Sequence, residues 1–564
     1  MKRRRLIAAA GVAAAATLAA GCRRGAQADG ARTIEMRWVG VAHERGHRLR
    51  EAISTTSPIG LSPRRAGALV LGGGVAGLAA ARALAKRGID DVHVVELEDT
   101  AGGNARAHAV KGLPCPLGAH YLPVPLPGGP AREVSEWLHE IGLMTIDAAG
   151  RVRADERHLA HSPQERLFFE GEWIEGLLPP AQPGSRRLAQ YRRFAARVAA
   201  LQGSGGPAAG GRGGRSGPPA FTLPAHRAAW TPAVAALDTS TFAAWLAREG
   251  LDDAALLTYL DYCCRDDYGA GLADVSAWAG VHYFASRHGF GVPGEVDTNE
   301  AREAHSGGVF TWPEGNGWLT RRLAADLGAD RIHTGRIVHA VREGRHGVSV
   351  LAVDARAGAQ DARQAWEAWE APLAVVALPL FVAARVVKPA SSSLQMALAE
   401  AARRVTYAPW LVVNLRLDSP LLDRGIGAPP AWDNVVHRSR GLGYVDASHQ
   451  RLMQPQGGPL VLTAYHALPM IERAALLEPD PRPWGERVLA DLTPVHPDLR
   501  QRVQRIDLVR YGHAMAVPRP GLQRLAALTA LRAARGRLRF AHSDLAGYSV
   551  FEEAFIAGCE AGAA

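Results

Sequence analysis

One segment constrains this chain more than any other: Ala68-Leu69-Val70-Leu71-Gly72-Gly73-Gly74-Val75-Ala76-Gly77-Leu78-Ala79-Ala80-Ala81. Its four leading apolar residues read as a strand covered on both faces, and the alanine-rich run from Leu78 to Arg87 reads as a helix. Between them Gly72, Gly74 and Gly77 fill a G-x-G-x-x-G frame. Gly72 makes the tight turn, Gly74 lets a pyrophosphate approach the backbone, and Gly77 lets the helix pack close to the sheet. The helix start at Val75 and Ala76 offers amide donors and a positive dipole end to phosphates. Val92–Glu96 reads as the next strand, and Glu96 stands 22 residues after Gly74. An acid there can hold both ribose hydroxyls, which favours an adenosine without a 2′-phosphate. The chain therefore carries an α/β dinucleotide-binding unit.

At 564 residues the chain is long enough for two or three lobes. The strand–turn–helix–strand unit starts a first nucleotide-binding segment over 66–150. Helical patterns with scattered Trp and Tyr fill 151–330, interrupted at 203–219 by a Gly/Pro/Arg-rich run that reads as a flexible surface insertion. Asp238-Thr239-Ser240 reads as a helix start. Strands return over 331–390 (Ile337–Val341, Val348–Val353, Ala374–Leu378), giving a second nucleotide-binding segment. Residues 391–520 mix strands and helices, and 521–564 end in a helix, a strand and a final helix. The net charge of +10 falls to +6 once Lys2, Arg3, Arg4 and Arg5 are set aside, which gives no reason to expect a nucleic acid partner.

Those four basic residues open a different signal. They precede a short apolar run, Leu6–Ala20, and a small-residue ending, Gly21-Cys22. The run is too short to span a bilayer and has the plan of an export signal. Arg3-Arg4 resembles the twin-arginine pattern, and Leu18-Ala19-Ala20-Gly21-Cys22 resembles a lipoprotein cleavage site. The expectation is a signal over 1–22, a tether and arm over 23–65, and a periplasmic or membrane-anchored protein held through lipidated Cys22. The other cysteines, Cys115, Cys263, Cys264 and Cys559, are too scattered for a disulfide framework and read as buried thiols.

Gly72–Gly77, Glu96 and the pair Gly102-Gly103 together resemble the flavin-containing amine oxidase superfamily. That likeness implies a Rossmann-type FAD domain built from discontinuous segments, with an inserted α+β substrate domain. It implies FAD as cofactor, with Gly102, Gly103, Asn104 and Arg106 near the pyrophosphate. Asn104 stands where the family usually has Arg. By the same likeness Gly118, Ala119, His120 and Tyr121 pass near the flavin ring, and Val338 meets the adenine. Asp544 would bind the ribityl chain. Ser549 and Val550 would lie where the last helix starts, beside the flavin N1/O2 edge, where a helix N-terminus stabilises negative charge. The likeness also departs. No Lys lies between Lys111 and Lys388, so a lysine bridging to flavin N5 is absent, and neither a clear pair of cage tyrosines nor a Cys suited to covalent flavin attachment is visible.

Other clusters weigh less. His43-Glu44-Arg45-Gly46-His47 fits a zinc-protease frame, but Gly46 weakens the helix it needs and its place in the arm argues for coincidence, so no metal is expected. His542-Ser543-Asp544 has triad residue types, but neighbours on a strand alternate faces and cannot chain hydrogen bonds. Cys264-Arg265-Asp266-Asp267-Tyr268-Gly269 reads either as a helix end capped by Gly269 or as a carboxylate facing a cationic amine. His120, His513 and Asp266 are the candidate catalytic residues, while Trp312, Trp318 and Trp410 read as core. The expected activity is an FAD-dependent, amine-oxidase-like oxidoreductase moving a hydride from a C–N or activated C–C bond to flavin N5. Oxygen or a respiratory acceptor would take the electrons. A desaturase or isomerase of a lipophilic substrate, or a non-catalytic exported flavoprotein, stay open beside it.

Overall fold

A computed structural model describes residues 33–50, 60–125, 128–148, 151–160, 164–204, 217–287, 289–293, 308–356, 365–450 and 457–564. The signal segment, Cys22 and most of 203–219 lie outside the described residues.

The apolar run Ala68–Leu71 is the central strand of a five-stranded parallel sheet, and all four of its residues are buried. Val92–Val95 and then Ile332–His333 lie on one side, Ala374–Val376 and then Leu538–Phe540 on the other. Strands from the start, middle and end of the chain thus form one layer. Helices cover both faces, which is why its strands show no polar alternation. The nucleotide helix Val75–Lys86 packs against the final helix Phe551–Ala563. A second five-stranded sheet, with Arg336–Glu343, Val348–Asp354 and Trp366–Ala371 at its centre, completes this lobe.

The other lobe is an eight-stranded sheet. Its long strands Thr406–Leu417, Leu460–Ala467 and Val503–Val517 pair antiparallel, and Glu165–Phe169 runs parallel to Asp433–Val436 near the far edge. The helices Arg186–Gln202, Phe242–Arg248, Ala254–Tyr268 and Ala277–Ala285 cap one face. Their buried Phe194, Phe242, Trp245, Trp278 and Phe284 share a core with Trp410, Val412, Tyr465 and Val509 of the sheet. The Asp238–Ser240 expectation needs correction by one step. Thr241 caps the helix Phe242–Arg248 through its side chain, because Asp238 still ends the preceding helix. Cys115, Cys263 and Cys264 are buried cysteines in no disulfide, and Cys559 is half-buried in the final helix. Among the described residues no helix is long and apolar enough to cross a membrane.

Candidate active site

A cavity of about 1340 Å³ runs between the two lobes. Its nucleotide end is the turn after Ala68–Leu71. Gly72 has φ +103°, and a Cβ there would stand 2.5 Å from the Ala377 carbonyl oxygen. A Cβ on Gly77 would stand 1.9 Å from the Gly72 carbonyl oxygen, so the helix crosses the strand end at a distance only a hydrogen allows. Gly77 sets this spacing from behind, while Gly72, Gly74, Val75 and Ala76 line the cavity. Gly102 and Gly103 lie alongside. The Gly102 amide donates to the Gly73 carbonyl at 2.7 Å, and a Cβ on Gly103 would reach Gly74 Cα at 3.1 Å. Two glycine turns therefore meet without side chains, leaving a backbone cradle of the kind a pyrophosphate requires.

Glu96 closes this end. Its Oε2 accepts the Gly73 N–H at 2.6 Å and its Oε1 accepts the Glu98 N–H at 2.8 Å. Burial pushes its carboxyl up, against the pull of those two donors. Each oxygen keeps a second lone pair for a ribose hydroxyl. Arg106 lines the cavity but is already engaged, donating from Nε to the Gly103 carbonyl at 3.0 Å and pairing with Glu98 at 3.4 Å. It stiffens the glycine turn. Asn104 ties the same turn to a late strand, Nδ2 to the Ala514 carbonyl at 2.8 Å. Val338 also faces this space. A cradle free of Cβ atoms, with a buried acid beside it, fits the adenosine and pyrophosphate of FAD.

The middle of the cavity is organised by Asp544. It accepts the Leu380 N–H at 3.0 Å and the Tyr407 hydroxyl at 2.6 Å, and lies 3.1 Å from His542 Nδ1. Burial opposes its charge, but His542 and these donors outweigh it and hold the carboxyl below its usual range. His542 and Asp544 thus meet, but Ser543 does not join them. The strand stops at Phe540, so strand alternation no longer applies. Ser543 turns instead to Ser549, Oγ to Oγ at 3.4 Å, and no triad forms. Ser549 and Val550 line the cavity where the final helix begins at Phe551.

Gly118, Ala119, His120 and Tyr121 carry the wall into the substrate lobe. His120 stacks on Tyr465, with ring centroids 4.4 Å apart, and lies 5.7 Å from the Trp432 ring. Burial lowers its pKa to about 3, so the imidazole stays neutral. Tyr121, Tyr465 and Trp410 line the same space, and the Trp410 indole N–H has no partner among the described residues. Tyr121 and Tyr465 each contact His120 rather than each other, and Trp410 is the core residue the sequence suggested, with one side also forming part of the cavity wall. Trp312 and Trp318 stack on each other at 4.7 Å, away from the cavity. His466 points to the other face of its strand from Tyr465, toward Asp491 at 3.9 Å. His513 lines the branch nearer Asp544 against Phe381, lowered to about 4 by burial and then by Arg473.

The helix Ala254–Tyr268 supplies the charge. Its residues Tyr259, Tyr262, Cys263 and Asp266 recur at the spacing of one helical face. Gly269 in the left-handed conformation ends it, so the cluster at 264–269 is both a capped helix end and a cavity wall. Asp267 is paired with Arg287, whose Nη2 lies 3.1 Å from both carboxylate oxygens. Asp266 has no ion pair among the described residues; the Tyr121 hydroxyl lies 3.5 Å from its Oδ2. Burial, then the nearby Asp267 charge, pushes its carboxyl up to about 7. Glu165 and Asp433 are paired positions on adjacent strands, hence on one face of the sheet. Burial pushes Glu165 up to about 7, and burial, then the charges of Asp266 and Glu165, raise Asp433 well above the usual carboxylate range. Asp266 lines the cavity, and Glu165 and Asp433, which are half-buried, stand close enough to it for the charges to act on one another. Glu552, in the first turn of the final helix, lines the cavity and is likewise raised to about 7 by burial.

Tyr407, Glu552 and the Asp267–Arg287 pair were not singled out in the sequence. The i, i+3, i+4, i+7 stripe on Ala254–Tyr268 was a usable signal for Asp266; nothing in the local sequence around Tyr407 points to Asp544. The zinc-protease frame forms a five-residue helix, His43–His47, whose histidines both line the cavity, with ring centroids 5.4 Å apart. Among the described residues no cluster of three or more His, Cys, Asp or Glu could hold a metal.

No curated protein matches the chain in sequence. A family model described as flavin containing amine oxidoreductase matches residues 75–564. Solved structures resemble it over nearly their whole length. Putrescine oxidase bound to putrescine is 18% identical, with 89% of this chain and 99% of that one covered and a TM-score of 0.59. Cyclohexylamine oxidase from Brevibacterium oxydans IH-35A is 18% identical, with 88% and 98% covered and a TM-score of 0.61. A fatty acid isomerase from P. acnes is 14% identical, with 88% and 97% covered and a TM-score of 0.56. At these identities the likeness is one of fold.

Proposed function

The chain belongs to the flavin containing amine oxidoreductase family, and from that premise we propose that this FAD-dependent oxidoreductase oxidises a cationic amine at the carbon beside its nitrogen. One observation carries the reading: Asp266 is an enclosed carboxylate without an ion-pair partner among the described residues, in an aromatic-walled cavity continuous with the dinucleotide cradle. A carboxyl held near neutrality by burial gains a counter-ion when an ammonium enters, and its oxygen can take the ammonium proton. His120, Tyr121, Tyr465 and Trp410 exclude water and offer π faces to the cation. Bound FAD supplies the two-electron acceptor for the neighbouring carbon. The neutral His120 serves as a stacking wall. Glu165 and Asp433, beyond Asp266, would receive a second cationic group, so the preferred substrate is a diamine or longer polyamine.

A second reading is favoured by Met470, Ile471 and Leu477, which are 40%, 90% and 51% exposed and line the cavity mouth. Such a lip suits entry of a lipophilic substrate for desaturation or isomerisation. Anaerobic addition of monoamines, diamines and unsaturated fatty acids to the purified flavoprotein separates the two. Loss of the visible flavin band with amines, fastest with a diamine, is the expected result. A response to fatty acids alone would reject the amine reading. We also propose export with lipidation of Cys22, supported by Lys2–Arg5 and the apolar run before Gly21-Cys22. Cys22→Ser should then move the protein from the membrane fraction to the soluble one.

A further inference from the structure

We propose that the arm Val39–Arg50, which precedes the family-matched residues, is part of the cofactor site: a strap across the cleft that retains FAD. The arm is fastened to both lobes. Glu35–Trp38 adds a parallel strand to the edge of Val503–Val517, with Glu35 opposite Arg505 and Trp38 opposite Leu508. The Trp38 indole N–H donates to the Glu478 carbonyl at 3.2 Å, and the Arg510 guanidinium lies 4.5 Å from the Trp38 ring. That side is the substrate lobe. The chain then crosses the cleft. The Ala42 N–H points at the Glu98 carboxylate at 3.3 Å. Arg45 donates to the Leu97 carbonyl at 3.2 Å and to Asp99 at 3.1 Å. Arg48 reaches the Ala355 carbonyl at 3.4 Å, and Leu49 packs on the core of the nucleotide lobe.

The landing site gives the strap its meaning. Leu97, Glu98 and Asp99 follow Glu96 directly, and Glu98 also pairs with Arg106 of the second glycine turn. The arm is thus keyed to the turn that faces the ribose and the pyrophosphate. His43, Gly46, His47, Leu49 and Arg50 line the same cavity as Gly74, Glu96 and Gly103. A dinucleotide seated in the cradle would have the arm as an outer wall, with Arg50 offering positive charge to an anionic ligand. A ligand walled by a segment fastened on both sides leaves only when one fastening opens.

The test is the rate at which the holoprotein loses flavin on dilution, followed by the rise in free-flavin fluorescence. Arg45→Ala/Arg48→Ala removes the fastenings to the nucleotide lobe, and a second variant lacks residues 33–50. Flavin release should quicken about tenfold in the double variant and further in the deletion. The melting temperature gained on adding FAD to apoprotein should shrink in both. Release within twofold of the parent, or an equal fall in melting temperature with and without FAD, would overturn the proposal and leave the arm a structural edge. If the deletion does not fold, the double variant decides alone.

Discussion

The nucleotide end of the cavity is made of backbone, and the substrate end is made of side chains. At the first end Gly72, Gly74, Gly102 and Gly103 bring two turns together with no side chain between them, and the buried acid Glu96 is held by two backbone donors. At the second end Asp266 and Glu552 share the cavity wall with Tyr121, Tyr465 and Trp410, Glu165 and Asp433 stand close to Asp266, and none of the four acids has an ion-pair partner among the described residues. A backbone cradle recognises one rigid ligand by shape and tolerates no added atom. A ring of enclosed acids recognises charge, and it keeps the protein short of stability until a cation arrives.

Breaking the cradle should have the largest effect. Gly77→Val places branched carbon against the Gly72 carbonyl, which a glycine Cβ position already meets at 1.9 Å. Flavin bound per purified protein should fall by roughly tenfold or more, because helix and strand cannot keep their spacing. Asp266→Asn tests the other end. The flavin spectrum should survive, while kcat/KM for amines drops by about 100-fold, the scale of removing one positioned acid–base group. In the unaltered protein kcat/KM should rise with pH through about 7 as Asp266 ionises, and Asp266→Asn should flatten that limb.

Stability should move the opposite way. Asp266 is raised in the folded state, so folding favours its protonated form, and its contribution is lost as pH rises from about 4 to about 7. Asp266→Asn should therefore raise the melting temperature at pH 8 by roughly 2–4 °C and change it little at pH 4. Glu165→Gln refines the comparison within the substrate end. It should lower the ratio of diamine to monoamine efficiency by about tenfold, the worth of one charge contact in an enclosed site. Tyr407→Phe is the smallest change. It deletes the hydroxyl bonded to Asp544 at 2.6 Å and should quicken flavin loss about fivefold, the effect of roughly 1 kcal/mol.

The two ends also differ in how far they could be read from the chain itself. Ala68–Gly77, Glu96 and Gly102-Gly103 are local words, because strand, turn and helix follow one another in the chain, although Gly72 also abuts Ala377 and Gly103 abuts Gly74. Asp266 was visible as a carboxylate at a helix end. Its companions Glu165 and Asp433 were not, because they lie 101 and 167 residues from it in sequence. His43 and His47 carried a misleading motif. Their place on the cleft comes from Arg45 reaching Asp99 and from Glu35–Trp38 pairing with Val503–Val517. His542 and Asp544 meet in the turn after the strand, while Ser543 between them reaches Ser549, a partner that only the docking of the final helix supplies.

By itself the sequence determined the nucleotide unit, the α/β class and the absence of a lysine between Lys111 and Lys388. Those features depend on backbone freedom and periodicity, which act over a few residues. The tertiary structure decided which aromatics face the cavity, which acids lack an ion-pair partner among the described residues, and where the arm lies. Those outcomes depend on burial and on long-range strand pairing, and a buried charge has no meaning until distant elements close around it.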